Sequence, residues 1–350
     1  MAGGIGSRFW PMSRTQHPKQ FIDILGTGET LIQQTYNRFK RICPEENIYI
    51  VTNQIYKDIT KSQLAGITDD QIICEPTMRN TAPCIAYANY KIAAKNPDAN
   101  IIVAPSDHLI LKEEEFVRVM NLALDHTSKN DDLLTLGITP TRPDTGYGYI
   151  QFLDNNNSEI KEVVKFTEKP DLETAKNFIA SGDFTWNSGM FIWSLKTIQK
   201  SFEALLPEMD NIFKNGLGKY NTEEEYEFIQ TAYSTCKSIS IDYGIMEGSK
   251  NVFVISADIG WSDLGTWGSI YTHLPLDENN NALVGKNVMM YDSSNNIVNV
   301  PQDKLVVLQG LDNYIVVESD NILLVCKKEE EQKIKQFVAD IKETKDERFY

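Results

Sequence analysis

Ile101-Ile102-Val103-Ala104-Pro105-Ser106-Asp107-His108 is an apolar run that stops at a proline and at once delivers a carboxylate and an imidazole. Four apolar residues without polar alternation mark a strand covered on both faces. Open α/β sheets bind ligands just beyond the carboxyl ends of such strands, so Asp107 is a candidate ligand residue and its strand is expected to be central. An Asp that merely caps the next helix fits the same segment, and His108 reads most simply as its hydrogen-bonding neighbour.

Upstream, helical and strand patterns alternate. Thr30 to Ile42 carries Leu31, Ile32, Tyr36 and Phe39 as a helical stripe closed by Pro44, and Ile48 to Thr52 reads as a strand. A helix over Gln54 to Leu64 and a strand over Gln71 to Cys74 follow. An Ala-rich helix then runs from Thr81 to Lys95, with Asn80 or Thr81 as cap and Pro83 in its first turn. That alternation indicates an α/β domain with a largely parallel sheet. Downstream, strands are expected at Tyr147 to Phe152, Val163 to Thr167, Met190 to Trp193 and Val252 to Ser256, with helices near Leu172 to Ala180, Leu195 to Leu206 and Glu223 to Tyr233. The polar, Asn-rich stretch Asp277 to Ala282 is the best linker. Short β-type runs and an amphipathic helix from Glu330 to Ile341 lie beyond it, which divides the chain into residues 1–276 and a small β domain, 277–350.

With 350 residues, and about 150 per domain as a guide, two units are expected, each with room for a core. Hydrophobic residues make up 41% and charged ones 24%, ordinary for a globular protein. The net charge of −15 argues against a broad nucleic-acid surface, so any anionic ligand must be held by a few local cations. No apolar stretch reaches the roughly 20 residues of a membrane span. The five cysteines, Cys43, Cys74, Cys84, Cys236 and Cys326, are scattered and odd in number, which points to reduced thiols and a cytoplasmic location. Met1 runs straight into Ala2-Gly3-Gly4, so a signal peptide is not expected.

The Gly-rich opening could carry chemistry, since Gly3, Gly4 and Gly6 let backbone N–H groups approach an anion that a Cβ would obstruct. It matches neither G-x-G-x-x-G nor a P-loop, and three glycines also make a plain turn. Arg8, Pro11, Arg14, Pro18, Lys19 and Gln20 tip the reading towards a triphosphate, because a rigid basic segment follows the loop. Asp263 sits in a turn bordered by Trp261, Gly265 and Trp267. If it converges with Asp107, the two carboxylates form a hard-oxygen site for Mg²⁺. Glu168-Lys169-Pro170 and Asn187-Ser188-Gly189 read equally as a strand end and a turn. His17, His126 and His273 show no ligand spacing, and no Ser-His-Asp or Cys-His arrangement stands out.

Taken together these segments resemble a family. Gly3 to Arg14 with Pro18-Lys19-Gln20-Phe21 is similar to the signature loop of sugar-nucleotide pyrophosphorylases, in the form used by mannose-1-phosphate guanylyltransferases. The resemblance continues through Glu75-Pro76, Arg79-Asn80-Thr81-Ala82-Pro83, Ala104 to His108, Phe166 to Pro170, Trp186 to Phe191 and Trp261 to Trp267, in the family's order over about three quarters of the chain. It implies a Rossmann-like (GT-A-like) three-layer sandwich with a mixed, mostly parallel sheet. The small C-terminal β domain is similar to the family's short left-handed β-helix, which is associated with dimer contacts, so a homodimer is expected. The implied reaction joins GTP and α-D-mannose 1-phosphate into GDP-mannose and diphosphate. Ala2, Gly3, Gly4, Gly6 and Ser7, with Arg8 and Lys19, would cradle the triphosphate. Asp107 and Asp263 would bind Mg²⁺, and Lys169 would neutralise the sugar phosphate. Glu75 matches the base-reading position, where a carboxylate accepts from guanine N1–H and the 2-amino group, and Asn80 would assist. Gly148, Glu168 and Asn187 would read the sugar.

Two departures stand beside the resemblance. Members carry a hydrophobic strand directly before the Gly loop, and here Met1 takes its last position, so a central strand is expected to be missing. The chain also ends near Tyr350, without the isomerase domain of larger relatives, so guanylyltransferase activity alone is expected. Other readings are a guanylyltransferase for another hexose or heptose 1-phosphate, a non-catalytic regulator that senses nucleotide sugars, and a glycosyltransferase of similar architecture. The set Arg8, Lys19, Asp107, Lys169 and Asp263 favours catalysis over sensing, and the Gly loop with Lys19 favours a triphosphate substrate over a nucleotide-sugar donor.

Overall fold

A computed structural model describes residues 1–154 and 158–350. In chain order its strands are β1 (Ile50–Asn53), β2 (Ile72–Glu75), β3 (Asn100–Val103), β4 (Leu109–Ile110), β5 (Leu133–Ile138), β6 (Gly148–Phe152), β7 (Ile160–Glu168), β8 (Phe184–Ser194), β9 (Val252–Ala257) and β10 (Trp261–Ser262). The C-terminal part adds β11 (Ala282–Val284), β12 (Asn287–Tyr291), β13 (Ile297–Asn299), β14 (Leu305–Gln309), β15 (Tyr314–Ser319) and β16 (Ile322–Lys327).

The main sheet runs β3-β8-β5-β9-β7-β6, with β6 also reaching β8. β1 pairs with β2 in parallel, as β5 does with β9. The long strand β8 enters antiparallel to β3, β5 and β6, and β7 is antiparallel to β6 and β9. The sheet is therefore mixed, and less parallel than the alternation of the first 140 residues suggests. Residue alternation along β5 sends Leu133 to one face and Leu134, Leu136 and Ile138 to the other. The first face packs under Ile85, Ile198, Phe202 and Phe213 of the helices Thr81–Ala93, Leu195–Leu205 and Pro207–Lys214. The second packs under Phe116, Val119, Met120 and Ala123 of the helix Glu113–Thr127. Each large side chain so buried contributes about 2–3 kcal/mol, and the result is a three-layer sandwich.

β3 differs from its expected place. It pairs with β8 on one edge, and on the other the strand position next to β1 is held by Met1 and Ala2 alone. The Met1 amino group donates to Ala104 O (2.7 Å), Ser106 N donates to Met1 O (2.9 Å), and Ala2 N donates to Val51 O (2.7 Å). Beside Met1 a cavity of about 500 Å³ is lined by Tyr36, Phe39, Val51, Ile85, Ile101 and Val103. Asn100, Ile101 and Ile102 are consequently only half-buried. Among the described residues β3 is thus the edge strand of the six-stranded sheet and not its centre.

Asp277 to Ala282 also departs from expectation. Asn281 is fully buried, its Nδ2 donating to Ser293 O and its Oδ1 accepting from Asn296 N and Nδ2 (3.0 and 2.9 Å). Asn296 Oδ1 accepts in turn from Tyr314 N (2.8 Å). This ladder stacks successive turns, with β11, β13 and β15 in parallel on one side and β12 and β14 on another. The segment read as a linker leads into the first turn of a β-helix, with the Asn281 amide and the Asp277 carboxylate bonded to backbone groups that must be satisfied.

Candidate active site

The Gly loop leaves the sheet at Ala2, whose backbone is spent internally: Ala2 O accepts from Thr52 Oγ1 (2.8 Å) and Gln20 Nε2 (3.0 Å). Ala2 therefore anchors the loop and has no backbone group left for a nucleotide. A Cβ at Gly3 or Gly4 would meet no protein atom within 4 Å, so those positions face open space. Gly6 has φ +71° and caps the 3₁₀ turn Ser7–Phe9. A Cβ there would stand 2.6 Å from Lys19 Cβ. Only glycine combines that φ with so close an approach.

Lys19, at 4% exposure, reaches under the loop to the two aspartates. Its Nζ lies 2.8 Å from Asp107 Oδ2 and donates to Asp263 O (2.7 Å) and Leu264 O (3.2 Å). Burial pushes the Asp107 carboxyl up, but Lys19, His108 and hydrogen bonds outweigh it and hold it below the usual range. Burial lowers His108 in turn, and His108 Nδ1 accepts from Trp261 Nε1 (3.1 Å), an arrangement for a neutral imidazole. Asp263 Oδ1 accepts from Tyr147 Oη (2.8 Å) and Gly265 N (3.0 Å), which leaves Oδ2 outside these bonds. The intervening Leu264 has φ +43°. The turn expected around Asp263 thus holds its carboxylate between Tyr147 and Gly265, while its backbone carbonyl takes the Lys19 ammonium.

Gly148, Glu168, Lys169 and Asn187 also come together. Gly148 is the register partner of Glu168, and a Cβ on it would lie 2.6 Å from Glu168 Oε2 and 3.6 Å from Asn187 Cβ. Lys169, with φ +44°, donates its N–H to Tyr147 O (3.2 Å), and its Nζ pairs with Glu168 Oε1 (2.8 Å). Asn187 Nδ2 donates to Asp242 Oδ1 (2.7 Å). Burial pushes the Asp242 carboxyl up.

The base-reading position differs. Glu75 follows Ile73 on the same face of β2, and alternation turns both into the core. At 6% exposure its Oε1 accepts from Tyr233 Oη (2.9 Å), and burial pushes its carboxyl up to about 7. Glu75 ties β2 to the helix Glu225–Thr235 and is not free to meet a base. Asn80 is exposed and uses its Oδ1 on Thr81 N (2.9 Å), as the expected cap.

Sequence reading missed Tyr147, Arg142 and Asp242. Tyr147 connects the sites, donating to Asp263 while its carbonyl holds Lys169. The Arg142 guanidinium stacks over Trp186 (5.3 Å) and bonds Asp144 (2.7 Å). Among the described residues, no group of three or more His, Cys, Asp or Glu could hold a metal ion by itself. Two carboxylates completed by substrate phosphates are what Mg²⁺ accepts, so Asp107 and Asp263 fit it. No helix among the described residues is long and apolar enough to cross a membrane.

Comparison with known proteins agrees with the fold. Residues 1–280 match the nucleotidyl transferase family model, and 286–341 match a MannoseP isomerase/GMP-like beta-helix domain. The chain is 34% identical over 347 residues to mannose-1-phosphate guanylyltransferase RfbM of Salmonella typhimurium, covering 98% of this chain and 71% of that one. It is 33% identical over 352 residues to alginate biosynthesis protein AlgA of Pseudomonas aeruginosa, covering 97% and 71%. The solved structure of a Thermus thermophilus protein described as mannose-1-phosphate geranyltransferase superposes with TM-score 0.88 at 26% identity, covering 98% of both chains. With an open glycine loop and a buried lysine that joins Asp107 to the Asp263 turn on this fold, and with residues 1–280 matching the family model, the chain belongs to the nucleotidyl transferase family.

Proposed function

We propose that this protein is a mannose-1-phosphate guanylyltransferase, converting GTP and α-D-mannose 1-phosphate into GDP-mannose and diphosphate. The observation that carries the reading is Lys19, packed against Gly6 of the glycine loop and bonded both to the Asp107 carboxylate and to the backbone carbonyl of Asp263. The relatives named as guanylyltransferases support the choice of nucleotide and sugar.

A sugar-phosphate oxygen attacks the α-phosphorus of GTP. The new P–O bond forms as the bond from the α-phosphorus to the oxygen bridging it to the β-phosphorus breaks, and diphosphate leaves. The nucleophile is already anionic, so positioning and charge neutralisation suffice without a general base. Backbone N–H groups of Gly3 and Gly4 and the guanidinium of Arg8 bind the triphosphate and then the leaving diphosphate. Asp107 and Asp263 would hold Mg²⁺, which supplies charge neutralisation on the phosphates. Lys19 fixes the aspartates from below, and Tyr147 orients Asp263. Lys169 neutralises the sugar phosphate as a point charge. Glu168 and Asn187 accept from and donate to sugar hydroxyls.

A cytoplasmic location is supported by the five free cysteines. A homodimer is supported by the exposed apolar row Met289, Tyr291, Leu305 and Val307 on the β12–β14 face. The test is product identity: with Mg²⁺, GTP and mannose 1-phosphate the protein is expected to yield GDP-mannose by mass spectrometry. Intact GTP after long incubation would refute the reading.

A further inference from the structure

Lys335 lies in the C-terminal helix Ile334–Thr344, far along the chain from the nucleotide loop. That helix packs directly on the Ser7–Phe9 turn, with Ile334 buried in one apolar cluster with Phe9, Trp10 and Trp267. Polar contacts fix the approach. Arg8 Nε donates to Gln332 Oε1 (3.0 Å), Gly268 N donates to Glu331 Oε2 (2.8 Å), and Trp10 Nε1 donates to Phe349 O (2.7 Å). Arg14 ties the same face to Asp320. Gln332 lies in the last turn of the 3₁₀ stretch Lys328–Lys333, which runs straight into the helix, and Lys335 follows three residues later, a spacing that places both on one side of the coil.

The Lys335 side chain is exposed and makes no ion pair with Asp or Glu among the described residues. It follows Gln332, the partner of Arg8, by three residues, and Arg8 first, then desolvation, then Lys169 hold its ammonium below the usual lysine range. Arg8 belongs to the phosphate loop and Lys169 to the sugar-phosphate end of the site. Lys335 thus adds a positive charge on the side of the coil that binds Arg8, in a protein of net charge −15, and like charges so placed are unfavourable in the free molecule. A polyphosphate placed among them removes that repulsion and gains charge-assisted contacts.

We infer that Lys335 is a third cation of the phosphate site, so that the C-terminal domain supplies a substrate-binding side chain and completes the active site in cis. The ligand chemistry is an inorganic or nucleoside polyphosphate oxyanion. This rests on the proposed nucleotidyl transfer, because it requires a polyphosphate between Arg8 and Lys169.

The experiment is calorimetric titration of the full chain with inorganic diphosphate and Mg²⁺, for the wild type, Lys335→Gln, Lys335→Arg and the control Lys345→Gln at the far end of the same helix. Loss of one charged contact at an exposed position is expected to weaken diphosphate binding about tenfold in Lys335→Gln. Lys335→Arg should retain most of the affinity, Lys345→Gln should match the wild type, and thermal unfolding should be unchanged in all. In the reverse reaction Lys335→Gln should raise KM for diphosphate with little change in kcat. Wild-type affinity in Lys335→Gln, in a protein that turns over, overturns this inference and leaves the proposed activity standing. A wild type that neither binds diphosphate nor turns over overturns both.

Discussion

Lys19 Nζ stands 2.8 Å from Asp107 Oδ2 while it donates to the backbone carbonyl of Asp263, so one buried ammonium ties the Asp107 carboxylate to the turn that carries Asp263. Removing it should damage both the fold and the site. In Lys19→Met the partly buried Asp107 loses its counter-charge, which is expected to cost about 3 kcal/mol in urea unfolding. Turnover should fall roughly 10³-fold as the aspartates drift. A variant with wild-type rates would show that Lys19 is only a core lysine.

Gly6 makes that position of Lys19 accessible. Gly6→Ala forces a Cβ to 2.6 Å from Lys19 Cβ at φ +71°. The left-handed backbone alone costs about 1–2 kcal/mol. A lowered Tm together with a raised KM for GTP is expected, whereas an effect on neither would contradict the packing described.

Tyr147 holds Asp263 through a hydrogen bond of 2.8 Å, and burial together with Asp263 keeps its phenol above the usual range. Loss of such an orienting partner typically costs 10–100-fold in metal affinity. Tyr147→Phe should therefore raise the Mg²⁺ concentration for half-maximal rate about tenfold, with a kcat at saturating Mg²⁺ within a few-fold of wild type. An unchanged Mg²⁺ profile would detach Tyr147 from the site.

Glu75 gives a pH prediction. Its folded value of about 7 lies above the 4.5 expected when unfolded. The folded protein therefore binds more protons than the unfolded chain between these values, and stability tied to Glu75 is full below pH 4.5 and lost as pH rises through 7. The loss is at most about 3 kcal/mol. Glu75→Gln keeps an acceptor for Tyr233 without a titrating group, so its stability relative to wild type should rise between pH 5 and pH 8. A parallel pH dependence for the two proteins would contradict the burial of this carboxyl.

Much of the site was legible because it is local. Glycines that precede cations, and carboxylates that end strands, announce anion and metal chemistry by spacing and type, and Asp107 and Lys169 stand just past strand ends where that logic puts them, whereas Asn187, read as a turn, lies within the long strand β8. Convergence was not legible: that Lys19 joins Asp107 to Asp263 depends on contacts 88 and 244 positions along the chain, which no periodicity encodes. Glu75 misled because its type suits guanine while the alternation of β2 turns it inward. Asn281 misled because an Asn-rich segment looks like a linker until its amides are seen to join the turns of a β-helix. Tyr147 and Lys335 carried no motif, as a positioning phenol and a helix-surface lysine are ordinary in composition.

The most direct test of the account is kcat/KM for diphosphate release across a panel of nucleoside triphosphates and hexose 1-phosphates, with Mg²⁺ present. The account predicts the highest value for GTP with mannose 1-phosphate, and its loss in Asp263→Asn. A higher value for another nucleotide or sugar, or equal rates in the Asp263→Asn protein, would contradict it.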